Sequence, residues 1–210
     1  DGDEQNARWV FWGANGGYLL GRFDGAVYVP ETEVLYAEHG ANGYAAQTWS
    51  DMAATDGRRL QISWMRGGKY PAMPFNQQMS FPVELTLRTT LEGIRLCRAP
   101  VREIELLQNR VHYGESTELV PGKPLRPHVD GDLFDIRIEL ELAAASAVGV
   151  HICGLDLRYD VAGERLSFLA KEVELKARAG KLALPLSFYA EGGAAQLQTL
   201  AVHELRSAWI

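Results

Sequence analysis

Apolar and polar residues alternate in short runs along almost the whole chain, and residues that turn the backbone separate the runs. Arg59-Leu60-Gln61-Ile62-Ser63-Trp64-Met65 has this period of two, and residues 79–89 repeat it with β-branched and aromatic side chains. Trp9–Trp12, residues 18–23 and residues 26–29 form a further set, divided by Asn15-Gly16-Gly17 and Asp24-Gly25. Asn-Gly and Asp-Gly pairs accept the positive φ of tight turns, which predicts a hairpin at each place. Residues 44–49 add another strand to this half. Gly67, Gly68, Pro71 and Pro74 then exclude a regular element. The loop they define carries Tyr70, Met73, Phe75, Asn76, Gln77 and Gln78, an aromatic and amide mixture suited to stacking on, and hydrogen bonding to, a polyol.

Alternation resumes at residues 133–142, where one face is apolar and the other charged. Strands of the same kind are predicted at residues 148–152, 155–159, 165–169, 173–177, 181–184, 186–189 and 197–205. Between the two halves, a turn at Glu92-Gly93 and the segment 100–107 lead into a polar stretch, residues 108–127. Its Pro121, Gly122, Pro124 and Pro127 suit a connection over the surface. The longest helix-compatible segments, 102–107 and 142–147, are short and weakly periodic, so the pattern predicts an all-β protein.

Composition narrows the function classes. With 210 residues, 47% of them hydrophobic and 23% charged, the chain suits one globular domain or two small ones. Its net charge of −6, with Lys and Arg scattered among acids, offers no basic patch for phosphates, so no nucleic-acid partner is expected. No apolar run approaches the ~18 residues of a membrane-spanning helix, and no membrane partner is expected. The first residues have neither the basic region nor the apolar stretch of a signal peptide, which leaves the location open. Cys97 and Cys153 are too few for a disulfide framework and lack partners at metal-ligand spacing, so they read as free thiols. His39, His112, His128, His151 and His203 form no close cluster, and neither a metal nor another cofactor is expected.

Several motifs occur in a fixed order: Arg8-Trp9-Val10, Gly21-Arg22-Phe23-Asp24-Gly25, Tyr44-Ala45-Ala46-Gln47-Thr48-Trp49-Ser50-Asp51, the Trp64 strand with its loop, Pro100-Val101-Arg102-Glu103-Ile104, and Glu204-Leu205-Arg206-Ser207-Ala208-Trp209. Together they resemble glycoside hydrolase family 32, the invertases, inulinases, levanases and related enzymes that cleave β-fructofuranosyl bonds. The resemblance implies the terminal blades of a five-bladed β-propeller over residues 1–107, closing with a linker strand. A shortened β-sandwich over residues 108–210 would follow. After residues 173–177 the family continues with a segment resembling Val-Asp-Arg-Ser-Ser-Val-Glu-Val-Phe and another hairpin, which this sequence lacks. By the same resemblance, Tyr44 and Trp64 fall on positions lining the fructose subsite; the plain alternative for a strand tryptophan is core packing.

The family works with three carboxylates, in Trp-Met-Asn-Asp-Pro-Asn-Gly, Arg-Asp-Pro and Glu-Cys motifs, and none of these motifs occurs here. A retaining glycosidase needs two carboxyl groups ~5 Å apart, one protonated and one ionised. Asp24, Asp51, Asp56 and Glu84 lie near turns or on polar strand faces and read as solvated or backbone-bonding acids, so no catalytic residue is assigned. The resemblance thus implies the C-terminal part of a glycosidase acting on sucrose or fructan, inactive as this chain alone. The alternative is a non-catalytic carbohydrate-binding or self-assembling β module. A complete hydrolase with an unrelated site has least support, because no Gly-x-Ser-x-Gly motif is present. Expected partners are a fructose-containing carbohydrate, held weakly or not at all by the isolated chain, and further copies of the chain. Those copies would associate through a propeller face exposing Tyr18, Leu20, Phe23, Trp49, Ile62 and Trp64.

Overall fold

A computed structural model describes residues 6–67, 78–127, 134–152, 155–168, 171–174, 181–184 and 189–205. The chain divides into two compact units, Asp1–Arg102 and Glu103–Ile210. Strands joined by turns dominate both, so the fold is all-β, as the alternation predicts.

Among its described residues, the first unit holds two antiparallel sheets. One consists of β1 (Trp9–Trp12), β2 (Gly17–Phe23), β3 (Tyr28–Pro30) and β4 (Leu35–Tyr36), with β2 pairing with each of the other three. Both expected hairpins form. Gly16 takes φ 82° between β1 and β2, and the Asn15 side chain accepts the Gly17 N–H at 3.2 Å. At the next turn Gly25 takes φ 102°, while Asp24 Oδ1 accepts the N–H groups of Ala26 (2.8 Å) and Val27 (2.7 Å).

The other sheet runs in the order β5 (Gly43–Thr48), β6 (Arg59–Met65), β8 (Val83–Thr90), β9 (Gly93–Pro100), and β7 (Gln78–Met79) pairs with β6 beyond the end of β8. The sequence suggests one strand over residues 79–89; the structure breaks it at Ser80-Phe81-Pro82. Ser80 bridges the break, its N–H donating to Ser63 O at 2.8 Å and its Oγ accepting the Ser63 N–H at 3.0 Å. Pro82 has no N–H to donate to a ladder, which favours an interruption there.

The two sheets of this unit pack through Tyr18 and Leu20 from β2 and Leu96 from β9, with Trp12, Leu85 and Ile94 against them. Tyr18 Oη accepts the Leu96 N–H at 3.0 Å, so the buried hydroxyl and a buried amide satisfy each other. This corrects the expectation that Tyr18 and Leu20 lie on an uncovered face: each is 2% exposed, because the second sheet covers them. The opposite face of the first sheet is the open one. Trp9 is 58% exposed, Phe11 60% and Tyr36 55%; Trp9 meets Phe23 edge-on and Phe11 lies against Tyr28.

The second unit begins with a 3-10 helix, Arg102–Leu107 spanning its boundary, where the sequence suggested a linker strand. One five-stranded sheet contains β10 (Gln108–Gly114), β11 (Thr117–Leu119), β12 (Phe134–Glu141), β17 (Lys181–Leu184) and β19 (Ala195–Leu205). The other runs β16 (Lys171–Glu174), β15 (Arg165–Phe168), β14 (Leu155–Asp160), β13 (Ala147–Ile152), β18 (Tyr189–Glu191). Both sheets feed one apolar cluster: Leu119, Ile138, Leu140 and Leu197 come from the first, Val148, Tyr159 and Ala190 from the second. Ile136, Ile138 and Leu140 alternate with outward Arg137 and Glu141, as the period of two predicts.

Residues 108–127 are more than a surface connection. β10 and β11 both pair with β19, and Leu119 is buried in the core. Val111 and Tyr113 stay exposed, so the ladder with β19 rather than an apolar face of its own holds β10.

Tyr18→Phe should leave the Leu96 amide buried without an acceptor and destabilise the first unit by about 1–3 kcal/mol. Urea denaturation followed by tryptophan fluorescence should report the loss; an unchanged midpoint would show that this bond contributes nothing net.

Candidate functional site

Tyr44 on β5 and Trp64 on β6 face each other in register, with ring centroids 6.1 Å apart and planes at 64°. Both are half-buried, so the tryptophan is not a fully enclosed core residue. The local backbone explains how Tyr44 reaches this place. The β5–β6 register shifts between Tyr44 and Gln47, and Ala45 takes φ 49°, where a non-glycine residue costs roughly 1–3 kcal/mol. Its N–H leaves the ladder and donates to Ala14 O at 2.7 Å. A bulge of this kind re-aims the neighbouring side chain.

Arg66 completes the cluster. Its guanidinium carbon lies 4.2 Å from the Tyr44 ring centroid, a cation–π arrangement at an exposed residue. Asn42 holds the backbone of Arg66 from both sides: the Arg66 N–H donates to Asn42 O at 2.8 Å, and Asn42 Nδ2 donates to Arg66 O at 2.7 Å. Met79 sits opposite Trp64 on β7. The group offers two aromatic surfaces and a set of cationic donors, which suits stacking on the C–H face of a sugar ring and hydrogen bonding to its hydroxyls. The sequence had brought out Tyr44 and Trp64 but not Asn42, Arg66 or the bulge at Ala45. Arg66 carried one usable signal, standing two residues beyond Trp64 in the turn just past the end of β6. Gly68, Tyr70, Pro71, Met73, Pro74, Phe75, Asn76 and Gln77, the polyol-suited loop, lie outside the described residues; Gln78 is an exposed residue of β7.

None of the four acids considered from the sequence lies on the segments that carry this cluster. Asp24 is occupied in its turn, and the N–H groups of Val27 and Ala26 hold its carboxyl below the ordinary value. Asp56 pairs with Arg58 through two bonds, Nε to Oδ1 at 2.6 Å and Nη2 to Oδ2 at 2.8 Å. That guanidinium lowers the Asp56 carboxyl to about 2. Asp51 takes φ 55° in the loop after β5, and Glu84 is half-buried on β8. Among the described residues, no three His, Cys, Asp or Glu side chains group closely enough to hold a metal ion.

Residues 12–100 match the family described as the glycosyl hydrolases family 32 N-terminal domain, almost the whole first unit. A levanase of Bacillus subtilis is 30% identical over 165 residues, 70% of this chain. The chain belongs to glycoside hydrolase family 32. A sucrose-6-phosphate hydrolase of Zymomonas mobilis is 29% identical over 153 residues. This family 32 chain spans only 24% of the levanase and 28% of the hydrolase. Among solved structures, exo-inulinase from Aspergillus awamori superposes with a TM-score of 0.68 at 14% identity, covering 92% of this chain and 50% of that one. A fructofuranosidase from Schwanniomyces occidentalis, complexed with fructosylnystose, gives 0.69 at 15% identity, covering 91% and 53%. At these identities the structural likeness concerns the fold.

Because its folded value lies below the usual carboxylate value of 3.8, Asp56 contributes stability that is complete above that value and is lost as pH falls through about 2. A carbon-detected NMR titration of Asp56 should therefore give a midpoint near the lower value. Asp56→Asn should remove that part of the acid sensitivity, and an ordinary midpoint would contradict the bidentate Arg58 contact.

Proposed function

We propose that this chain is a portion of a β-fructofuranosidase, contributing an aromatic wall of the fructose site, and that on its own it hydrolyses nothing. The observation that carries this reading is the in-register contact of Tyr44 and Trp64, with Arg66 over the Tyr44 ring. In this reading the two sheets of the first unit are terminal blades of a five-bladed β-propeller, and the two five-stranded sheets of the second unit are a β-sandwich around their shared core. The named relatives support the substrate class, since they include a levanase and a sucrose-6-phosphate hydrolase.

The chemistry follows from what the residues can supply. Retaining hydrolysis breaks the bond to the anomeric carbon by nucleophilic attack of one carboxylate while a second carboxyl group protonates the leaving oxygen. The three family motifs that carry those carboxylates are absent from the sequence. Tyr44 and Trp64 can orient a furanose ring, and Arg66 can donate to its hydroxyls. These are binding and positioning contributions, which accelerate hydrolysis only where the carboxylates are also present. Pure chain incubated with sucrose, inulin or levan should release no fructose; turnover abolished by replacing one of its own acids would sink this reading. Fluorescence titration with 1-kestose should show weak binding that Trp64→Ala eliminates.

A second reading, a self-assembling β module, is favoured by one specific observation. Register places Trp9, Phe11, Phe23, Tyr28 and Tyr36 on one face of the β1–β4 sheet, with Leu19, Gly17, Gly21 and Pro30 and no charged side chain among them. So much aromatic surface on one face exceeds the scattered exposure normal for a monomer. The occupant proposed here is a second copy related by a two-fold axis, which closes the assembly. Light scattering at high micromolar concentration should give a dimer, and Phe11→Lys should return it to the monomer. A monodisperse monomer of the unaltered chain would end this reading.

A further inference from the structure

Glu38 lies between β4 and β5, and Arg98 lies on β9, 60 residues further along the chain. Arg98 Nη1 donates to Glu38 Oε2 at 2.7 Å, and the two side chains are only 15% and 21% exposed. Each partner is also tied to a residue next to one member of the aromatic pair. On one side, the Glu38 side chain lies across Gly43, the residue before Tyr44, and across Gly16 in the β1–β2 turn; a Cβ at either glycine would overlap it. Its Oε1 accepts the Gly40 N–H at 3.1 Å. On the other side, Arg98 Nη2 donates to Ser63 Oγ at 3.2 Å, and Ser63 is the buried residue before Trp64. Arg98 Nη1 also reaches Ala37 O at 3.4 Å, and the guanidinium lies 5.9 Å from the Trp12 ring centroid.

We propose that Glu38 and Arg98 are positioning residues that fix the mutual geometry of Tyr44 and Trp64 before any ligand arrives. Withdrawing two charges this far from water carries a desolvation cost that an apolar contact between the same sheets would avoid. The pair supplies direction in return. A guanidinium presents its donors in a rigid fork, so one group can hold Glu38, Ser63 and Ala37 at set angles, which a lysine cannot do. The backbone before Tyr44 is confined by the Glu38 side chain and the backbone after it by the Ala45–Ala14 bond. Before Trp64, Ser63 is held through its hydroxyl by Arg98 and through its backbone by Ser80. A site held this way loses less conformational freedom on binding.

The inference rests on reading Tyr44 and Trp64 as the sugar-facing pair, but its test does not. The full chain would be labelled with 5-fluorotryptophan and the Trp64 fluorine resonance assigned by its disappearance in Trp64→Phe. In Glu38→Gln and in Arg98→Lys, the Trp64 and Trp12 resonances should shift or split while those of Trp9 and Trp49 hold their positions. Affinity for 1-kestose should fall roughly tenfold through lost preorganisation. An unchanged Trp64 resonance in both folded variants would overturn the proposal. Should Arg98→Lys fail to fold, Glu38→Gln, which keeps the shape and removes the charge, decides alone. General loss of fluorine dispersion in that variant would mean that the pair holds the whole fold rather than the site, which also overturns it. If the unaltered chain binds no 1-kestose while the Trp64 response appears as expected, the sugar reading fails and the positioning role stands.

Discussion

The apolar face of β2 that carries Tyr18 and Leu20 has to be removed from water, and the sheet ending in β9 removes it. Much of the first unit depends on that burial. Each of those side chains yields about 1.5–3 kcal/mol when it leaves water, a large share of the small net stability of a domain. Tyr18 also needs a partner for its hydroxyl, and the Leu96 N–H supplies it. The hydrophobic contact and the hydrogen bond therefore specify the same arrangement, bringing the β1–β2 turn beside the start of β5. There Ala14 receives the Ala45 N–H, and Gly16 accommodates the side chain of Glu38.

This arrangement places strained and charged groups where a uniform sheet would have neither. Ala45 at positive φ and the partly buried Glu38–Arg98 pair are both costly in isolation, and both flank Tyr44. Departures of this kind persist only where the surrounding structure over-determines them, and they concentrate at functional sites. Gly16 and Gly25 turn where Asn-Gly and Asp-Gly predict, but β6 reverses the simple rule, burying Gln61 and Ser63 while Leu60, Ile62 and Trp64 stay half-buried. The strained Ala45 and the Glu38–Arg98 pair together single out the surroundings of Tyr44.

The second unit is built more simply. Ile136, Ile138 and Leu140 point inward from β12 and meet Val148 and Tyr159 from the other sheet, so a single core serves both. β19, 11 residues long, pairs with β10, β11 and β12. This explains how a segment as polar as residues 108–114 can be a strand at all: its backbone groups are satisfied by the neighbouring β19, and its side chains can remain in water.

The sequence by itself determined the all-β class, the position of most strands, both early hairpins and the family. These depend on the alternation of side chains and on glycines at positive φ, which are local properties of the chain. It also brought out Tyr44 and Trp64, through resemblance rather than through spacing. Tertiary structure alone decided which face of β2 is covered, that β10 and β11 join β19, and that the strand expected over residues 79–89 breaks at Pro82. It alone brought Glu38 to Arg98 and Asn42 to Arg66, pairs separated by 60 and 24 residues. Period-two alternation says that a strand has an apolar face but not what will cover it, and a charged residue's partner across the fold leaves no periodic trace in the chain.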